Sequence, residues 1–123
     1  MLPKQDPTIT AAVLSFATAA DNRDVTALEG LLDESFRVVF TVKGSDEVST
    51  IDRATYLSLL QAGKLGGVPR DVQVSQAAST GALASAKASL TSSAAFFESE
   101  YTLVQRRGQW RLLQDATVFT PGK

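Results

Sequence analysis

The sequence predicts a cone-shaped α+β domain with a pocket. Three observations carry this: a helical N-terminal half, a second half of alternating strands, and one long amphipathic hairpin over residues 96–119 turned at Arg107-Gly108. At 123 residues the chain fits one domain, 1–123 with an ordered core of about 8–120. A domain of this length buries roughly two thirds of its unfolded surface.

The first helix starts at Pro7-Thr8 and places Ile9, Val13, Phe16, Ala17 and Ala20 on one face. The segment Ala11–Ala20 could pass for a signal-peptide core after Lys4, but Asp6 spoils the basic flank, so the helix is expected. Asp21-Asn22-Arg23-Asp24 breaks the pattern. Asp24 suits the N-cap of a short second helix carrying Val25, Leu28, Leu31 and Leu32. From Phe36 the period becomes two, with Phe36, Val38, Phe40 and Val42 on one face. Gly44-Ser45-Asp46 is a turn. A brief strand over Val48–Ile51 leads to Asp52, the expected N-cap of a third helix with Tyr56, Leu57, Leu59 and Leu60 that stops at Gly63.

After Arg70 the pattern is strand throughout. Val72 and Val74 alternate with polar residues, and beyond Gly81 the row Ala82, Ala84, Ala86, Ala88 and Leu90 shares a face. Small side chains there leave room either for a cavity or for a closely packed helix. In the hairpin, a two-residue turn pairs Gln105 with Trp110, Leu103 with Leu112, Tyr101 with Gln114, Ser99 with Ala116 and Phe97 with Val118 on the core face. The other face then sets Glu100 against Asp115, like charges that either share a proton or cation or are diluted by solvent. This register is open to a one-residue slip.

Twelve basic and thirteen acidic side chains give a formal net charge of -1, and the only adjacent basic pair is Arg106-Arg107. No nucleic-acid footprint follows from that balance. No membrane span is indicated. With no histidine and no cysteine, imidazole acid–base chemistry, thiol nucleophiles, thiolate metal sites and disulfides are all excluded. No metal site and no cofactor are expected, and a cytoplasmic location fits the absence of cysteine.

The stretch Ser15-Phe16-Ala17-Thr18-Ala19-Ala20-Asp21-Asn22-Arg23-Asp24-Val25 and the hairpin Tyr101–Leu112, with its Gly108 and Trp110, resemble signatures of the nuclear transport factor 2-like (SnoaL-like) superfamily. Ala62-Gly63-Lys64-Leu65-Gly66-Gly67 followed by Arg70 resembles the bacterial lumazine-binding-like group within it. The resemblance implies a strongly curved antiparallel sheet with three helices packed in its concavity, a pocket at the wide end, and a homodimer through the outer sheet face. It implies no single activity, because this fold hosts isomerases, dehydratases, cyclases, hydrolases and plain binding modules.

Carried onto this chain, the isomerase motifs fall on Phe16, Phe40 and roughly Ser99, none of which supplies the acid or base that such catalysis needs. The Asp–Arg–Asp relay of limonene-type epoxide hydrolases finds only Asp52 and Arg53, and Asp52 has a simpler role as a helix cap. No catalytic residue is therefore assigned. Phe16, Phe40, Tyr56, Ser99, Tyr101, Trp110 and Gln114 are the candidates for a neutral aromatic pocket holding a small, largely apolar or flat heterocyclic ligand. Trp110 and Tyr101 read first as core filling and second as pocket wall. Two alternatives stand beside the binding protein: an enzyme with a non-standard acid or base such as Asp33, Glu34, Asp52 or Glu100, and a dimerisation module using Thr102, Arg111 and Leu113.

Overall fold

A computed structural model describes residues 6–122. Its elements run α1 Pro7–Asp21, α2 Val25–Leu31, β1 Leu32–Val42, β2 Ser49–Asp52, α3 Arg53–Gln61, β3 Asp71–Thr80, β4 Leu83–Thr91, β5 Ala95–Arg106 and β6 Gln109–Pro121. Each helix begins on an aspartate that accepts a hydrogen bond from its first turn: Asp6 from the Thr8 N–H at 2.9 Å, Asp24 from Ala27 at 3.1 Å and Asp52 from Thr55 at 2.9 Å. These caps satisfy donors that the helix itself leaves free, and Pro7 at the start of α1 has no donor to lose.

The six strands form one curved, unclosed sheet in the order β2-β1-β6-β5-β4-β3. Four of the five pairings are antiparallel, but β1 and β6 run parallel, which corrects the expected purely antiparallel sheet. A parallel pair needs a long crossover, and everything from β2 to β5 supplies it. Leu32, expected in α2, opens β1 instead. It is fully buried and paired with Leu112, so sheet pairing outweighs its helical preference.

All three helices pack on the inner face of the sheet, and α1 crosses β3, β4 and β6. Ala84, Ala86 and Ala88 are buried in one cluster with Ile9, Val13 and Ala17 of α1, so here the alanine row receives a close helix. Ala82 lies in the turn before β4 and is exposed.

The hairpin turns where expected, with Arg107 and Gly108 both left-handed at φ 52° and 80°, the conformation of a two-residue I′-type turn. Its register holds from Arg106–Gln109 to Leu103–Leu112 and then shifts, so that Thr102 opposes Gln114 and Leu113 forms a bulge. The correction is consequential. Tyr101 faces Asp115 rather than Gln114, Ser99 faces Thr117, and Phe97 faces Phe119. One extra residue reverses the facing of every later side chain on β6 relative to β5, which moves Asp115 from the outer face to the inner one. Glu100 instead opposes Ala116 and pairs with Lys87 at 3.2 Å in solvent, so the expected Glu100–Asp115 contact does not exist.

The loop between α3 and β3 is tied to the corner between α1 and α2. Arg23, itself left-handed at φ 53°, donates from Nε to the Leu65 carbonyl at 2.8 Å and from Nη2 to the carbonyls of Gly63 and Gly66 at 3.0 and 3.1 Å. The Gly67 N–H reaches the Asp21 carbonyl at 2.8 Å. Gly66 sits so close that a Cβ there would lie 2.2 Å from the Ala20 carbonyl oxygen, and its φ of +73° also favours glycine. No helix among the described residues is long and apolar enough to cross a membrane.

Candidate functional site

The inner face changes character along the strands. Near the hairpin turn it is a closed core of Leu28, Leu32, Phe36, Leu103 and Leu112, all buried. Toward the opposite end, Phe40, Val72, Val74, Phe97, Thr117 and Phe119 are only half-buried. Strands that leave helix cover expose their inner side chains, so this far end is where a small molecule could approach.

Four rings join the two ends. Phe16 lies 5.9 Å from Phe36, 6.2 Å from Tyr56 and 5.9 Å from Tyr101, and Phe36 lies 5.4 Å from Tyr56. These spacings are those of packed aromatic pairs. The sequence candidates Phe16, Tyr56 and Tyr101 therefore do converge, with Phe36 as an unanticipated fourth member. Ser99 is buried beside them and donates to the Thr117 hydroxyl at 2.9 Å. Phe40 pairs in register with Thr117 at the half-buried end. Trp110 packs against the core next to the hairpin turn, away from the polar groups. Gln114 is turned by the bulge to the outer face, where it accepts from Arg37 Nε at 2.7 Å, so it is not part of the inner cluster.

The polar centre of this end is Asp115, directly across from Tyr101. The residue keeps some exposure, yet its Oδ1 is sealed from solvent and accepts no hydrogen bond among the described residues. Burial raises its carboxyl from 3.8 to about 7, against the opposing pull of the Arg70 charge and the Ser99 hydroxyl. Burial, reinforced by the Asp115 charge, likewise holds the Tyr56 and Tyr101 phenols above their ordinary range, so both remain hydrogen-bond donors.

Arg70 completes the group. Its Nε donates to Asp21 Oδ1 at 2.7 Å and its backbone N–H to Asp21 Oδ2 at 3.0 Å, while the guanidinium carbon stands 5.1 Å from the centre of the Phe97 ring. The clamp of Arg23 on the preceding loop is what delivers Arg70 to this place. A carboxyl near neutrality, two neutral phenols and a guanidinium around an aromatic wall can bind a polar atom of an otherwise apolar molecule and exchange a proton with it.

None of the carboxylates named from the sequence occupies this position. Asp33 is buried, but near the hairpin turn in an ion pair with Arg106 at 2.9 Å; Asp52 caps α3; Glu34 is exposed; and Glu100 pairs with Lys87. The bond from the Thr55 N–H holds Asp52 below its ordinary pKa, as a cap should. Asp115 was missed because the expected register placed it outside, and the pair Arg70 and Asp21 because the two meet only across 49 positions of chain. A hint was the doublet Leu112-Leu113, two apolar neighbours that break the alternation of Trp110, Arg111 and Leu112, although Val118-Phe119 is a like doublet without a bulge.

No protein-family profile and no curated protein sequence matches the chain. Solved structures do. An NTF2-like protein of unknown function from Silicibacter pomeroyi superposes with a TM-score of 0.79 at 18% identity, over 92% of this chain and 93% of that one. Another of unknown function, from Shewanella baltica, gives 0.79 at 13% identity over 94% of each chain. A ketosteroid isomerase-like protein from Erwinia carotovora gives 0.68 at 13% identity, again over 94% of each. At such identities the likeness is one of fold, and the fold is nuclear transport factor 2-like.

Proposed function

We propose that the far end of the inner face binds a small, largely apolar molecule and that Asp115 exchanges a proton with it. The observation that carries this reading is the Asp115 carboxyl: its Oδ1 is sealed and without a hydrogen-bond partner among the described residues, and burial raises the group to about 7. A buried acceptor left unpaired costs about 1–3 kcal/mol, and such groups in folded proteins mark a strained or functional place. A group titrating near the working pH serves equally as base and acid. The roles follow from position. Asp115 takes the proton from an acidic carbon or hydroxyl, Tyr101 and Tyr56 donate to the oxygen on which charge develops, and Phe97, Phe119 and Phe40 hold the apolar body.

The pocket in this reading differs from the neutral one expected from sequence, because it contains Asp115, Arg70 and Asp21. A flat heterocycle, as the lumazine-binding-like resemblance implies, or a cyclic ketone, as the isomerase-like neighbour invites, meets the same requirement. Because Phe16 and Phe40 hold the positions of the isomerase groups, proton transfer here starts from β6 instead. The test is α-proton exchange of small cyclic enones in D2O, followed by NMR. Exchange above buffer that falls about 100-fold or more in Asp115→Asn is expected. Exchange unchanged by that substitution would sink the assignment.

A second reading rests on the outer face. A groove of about 500 Å³ opens there, bordered by Val39, Val48, Ala116 and Val118, with Lys87 and Glu98 along one side. Val48 and Val118 are exposed. An apolar floor flanked by both charge signs is self-complementary about a two-fold axis, and we infer a homodimer through it. Light scattering after size exclusion should give twice the chain mass, and Val118→Glu should give the monomer.

A further inference from the structure

We infer that residues 62–70 form a strap that Asp21 and Arg23 latch shut. The strap opens as one unit without unfolding the domain, and in opening it uncovers the aromatic wall of Phe97 and Phe119. This goes beyond the reading above, because the opening belongs to the free chain and needs no ligand.

Little that is apolar holds the strap down. Residues 61–69 are all exposed, and Leu65 and Val68 are among the exposed large hydrophobic side chains. At its start Gly63 and Lys64 still donate to the Leu60 and Leu59 carbonyls, which ends α3. Beyond that turn its hydrogen bonds run to two residues at the corner between α1 and α2. Arg23 donates to the carbonyls of Gly63, Leu65 and Gly66. Asp21 accepts from the Gly67 N–H through its carbonyl, and from the Arg70 N–H and Nε through its carboxylate. A segment with few buried apolar contacts and exposed polar fastenings opens at a lower free energy than the domain around it. Because the fastenings share one corner, losing that corner frees the whole length, so the strap moves as a unit.

The latch is also closed against a local strain. Arg23 stands at φ 53°, in the left-handed region that side chains other than glycine rarely occupy, and its three bonds to the strap offset that cost. Release lets Arg23 return to an ordinary conformation. Gly63, at φ +76°, supplies a permissive backbone position where the strap leaves α3, while the other end runs into β3 at Asp71.

What the strap covers follows from its last residue. The Arg70 guanidinium carbon lies 5.1 Å from the centre of the Phe97 ring, and that ring lies 5.2 Å from Phe119. Both rings are half-buried. Arg70 is held there by Asp21, so an open latch withdraws the cation from the ring and leaves the wall to solvent or to an apolar molecule.

The experiment is native-state amide hydrogen exchange of the full chain at low urea concentrations, read by NMR. The Gly67 and Arg70 amides should exchange together, about tenfold or more faster than the core amides of β5 and with little dependence on urea, because a local opening exposes little surface. Arg23→Gln cannot reach three carbonyls at once and should speed both amides about tenfold or more, leaving those of β5 unchanged. In the same variant a small neutral nitroxide should broaden the Phe97 and Phe119 ring signals more than in the wild type, with the buried Phe36 ring as the unaffected control. Should Arg23→Gln fail to fold, Arg23→Gly removes the latch while suiting the left-handed backbone, and the wild-type exchange pattern decides by itself. Gly67 and Arg70 exchanging only with the core, or at unrelated rates, would overturn the strap as a unit. Strap amides indifferent to the loss of Arg23 would overturn the latch. Faster strap amides with unchanged ring signals would overturn the cover.

Discussion

Two inward-facing carboxylates, Asp33 and Asp115, mark the two ends of the inner face, and they are held in opposite states. Asp33, near the hairpin turn, receives Arg106 Nε at 2.9 Å and the Ser35 N–H at 3.1 Å, and the Arg106 bond in particular keeps it below its ordinary pKa. Asp115, at the far end, has a sealed oxygen without a partner, and burial lifts it to about 7. Burial opposes ionisation at both sites. What separates them is how fully the surroundings return hydrogen bonds to the charged form: two to Asp33 and, at Asp115, the Ser99 hydroxyl alone. The end that satisfies its carboxylate is closed core, and the end that leaves one carboxylate oxygen unpaired is the end proposed to take a ligand.

The sharpest test of that division is packing. Leu103→Ala, in the closed end, should cost about 2–5 kcal/mol in urea unfolding, because a fully buried leucine leaves a cavity. Phe97→Ala, at the half-buried far end, should cost clearly less despite the larger side chain removed. Equal losses would mean that the far end is core after all.

Gly66→Ala comes next. It forces a Cβ toward the Ala20 carbonyl at a positive φ and should cost about 1–3 kcal/mol, whereas Gly44→Ala, also at positive φ but facing open space, should cost less. If loop placement governs the far end, Gly66→Ala should also displace Arg70 from Phe97, visible as changed Phe97 ring shifts.

The pH profile of stability distinguishes the two carboxyls more finely. Asp115 has a raised folded pKa, so the folded state holds its proton to higher pH than the unfolded chain; its contribution is full below about 4 and is lost as the pH climbs to about 7. Asp33 has a lowered folded pKa, so its contribution is present above the unfolded value and is lost as the pH falls through the folded one. Asp115→Asn should flatten the limb between about pH 4 and 7 and leave the acid limb alone. Arg106→Gln, the smallest effect because that side chain is 58% exposed, should weaken only the acid limb. Urea midpoints across the pH range check both, and a variant that moved the wrong limb would break the comparison.

Much of this was legible in the chain itself. Asp24 and Asp52 cap the helices they precede, Arg107-Gly108 turns the hairpin, and the alternation of Phe36, Val38 and Phe40 builds β1, because caps, turns and periodicity depend on atoms a few residues apart. The helix–strand order and the hairpin residues together sufficed for the fold. Tertiary structure alone decided which carboxylate faces inward. That choice turns on one bulged residue, Leu113, which the register with β5 skips and which the doublet Leu112-Leu113 only hints at in sequence. It likewise decided that Arg70 meets Asp21 across 49 positions of chain, an encounter arranged by the Arg23 clamp on the intervening loop. Local chemistry specifies elements; register and long-range contacts depend on the free energy of the assembled core, and the proposed site was assembled from those contacts.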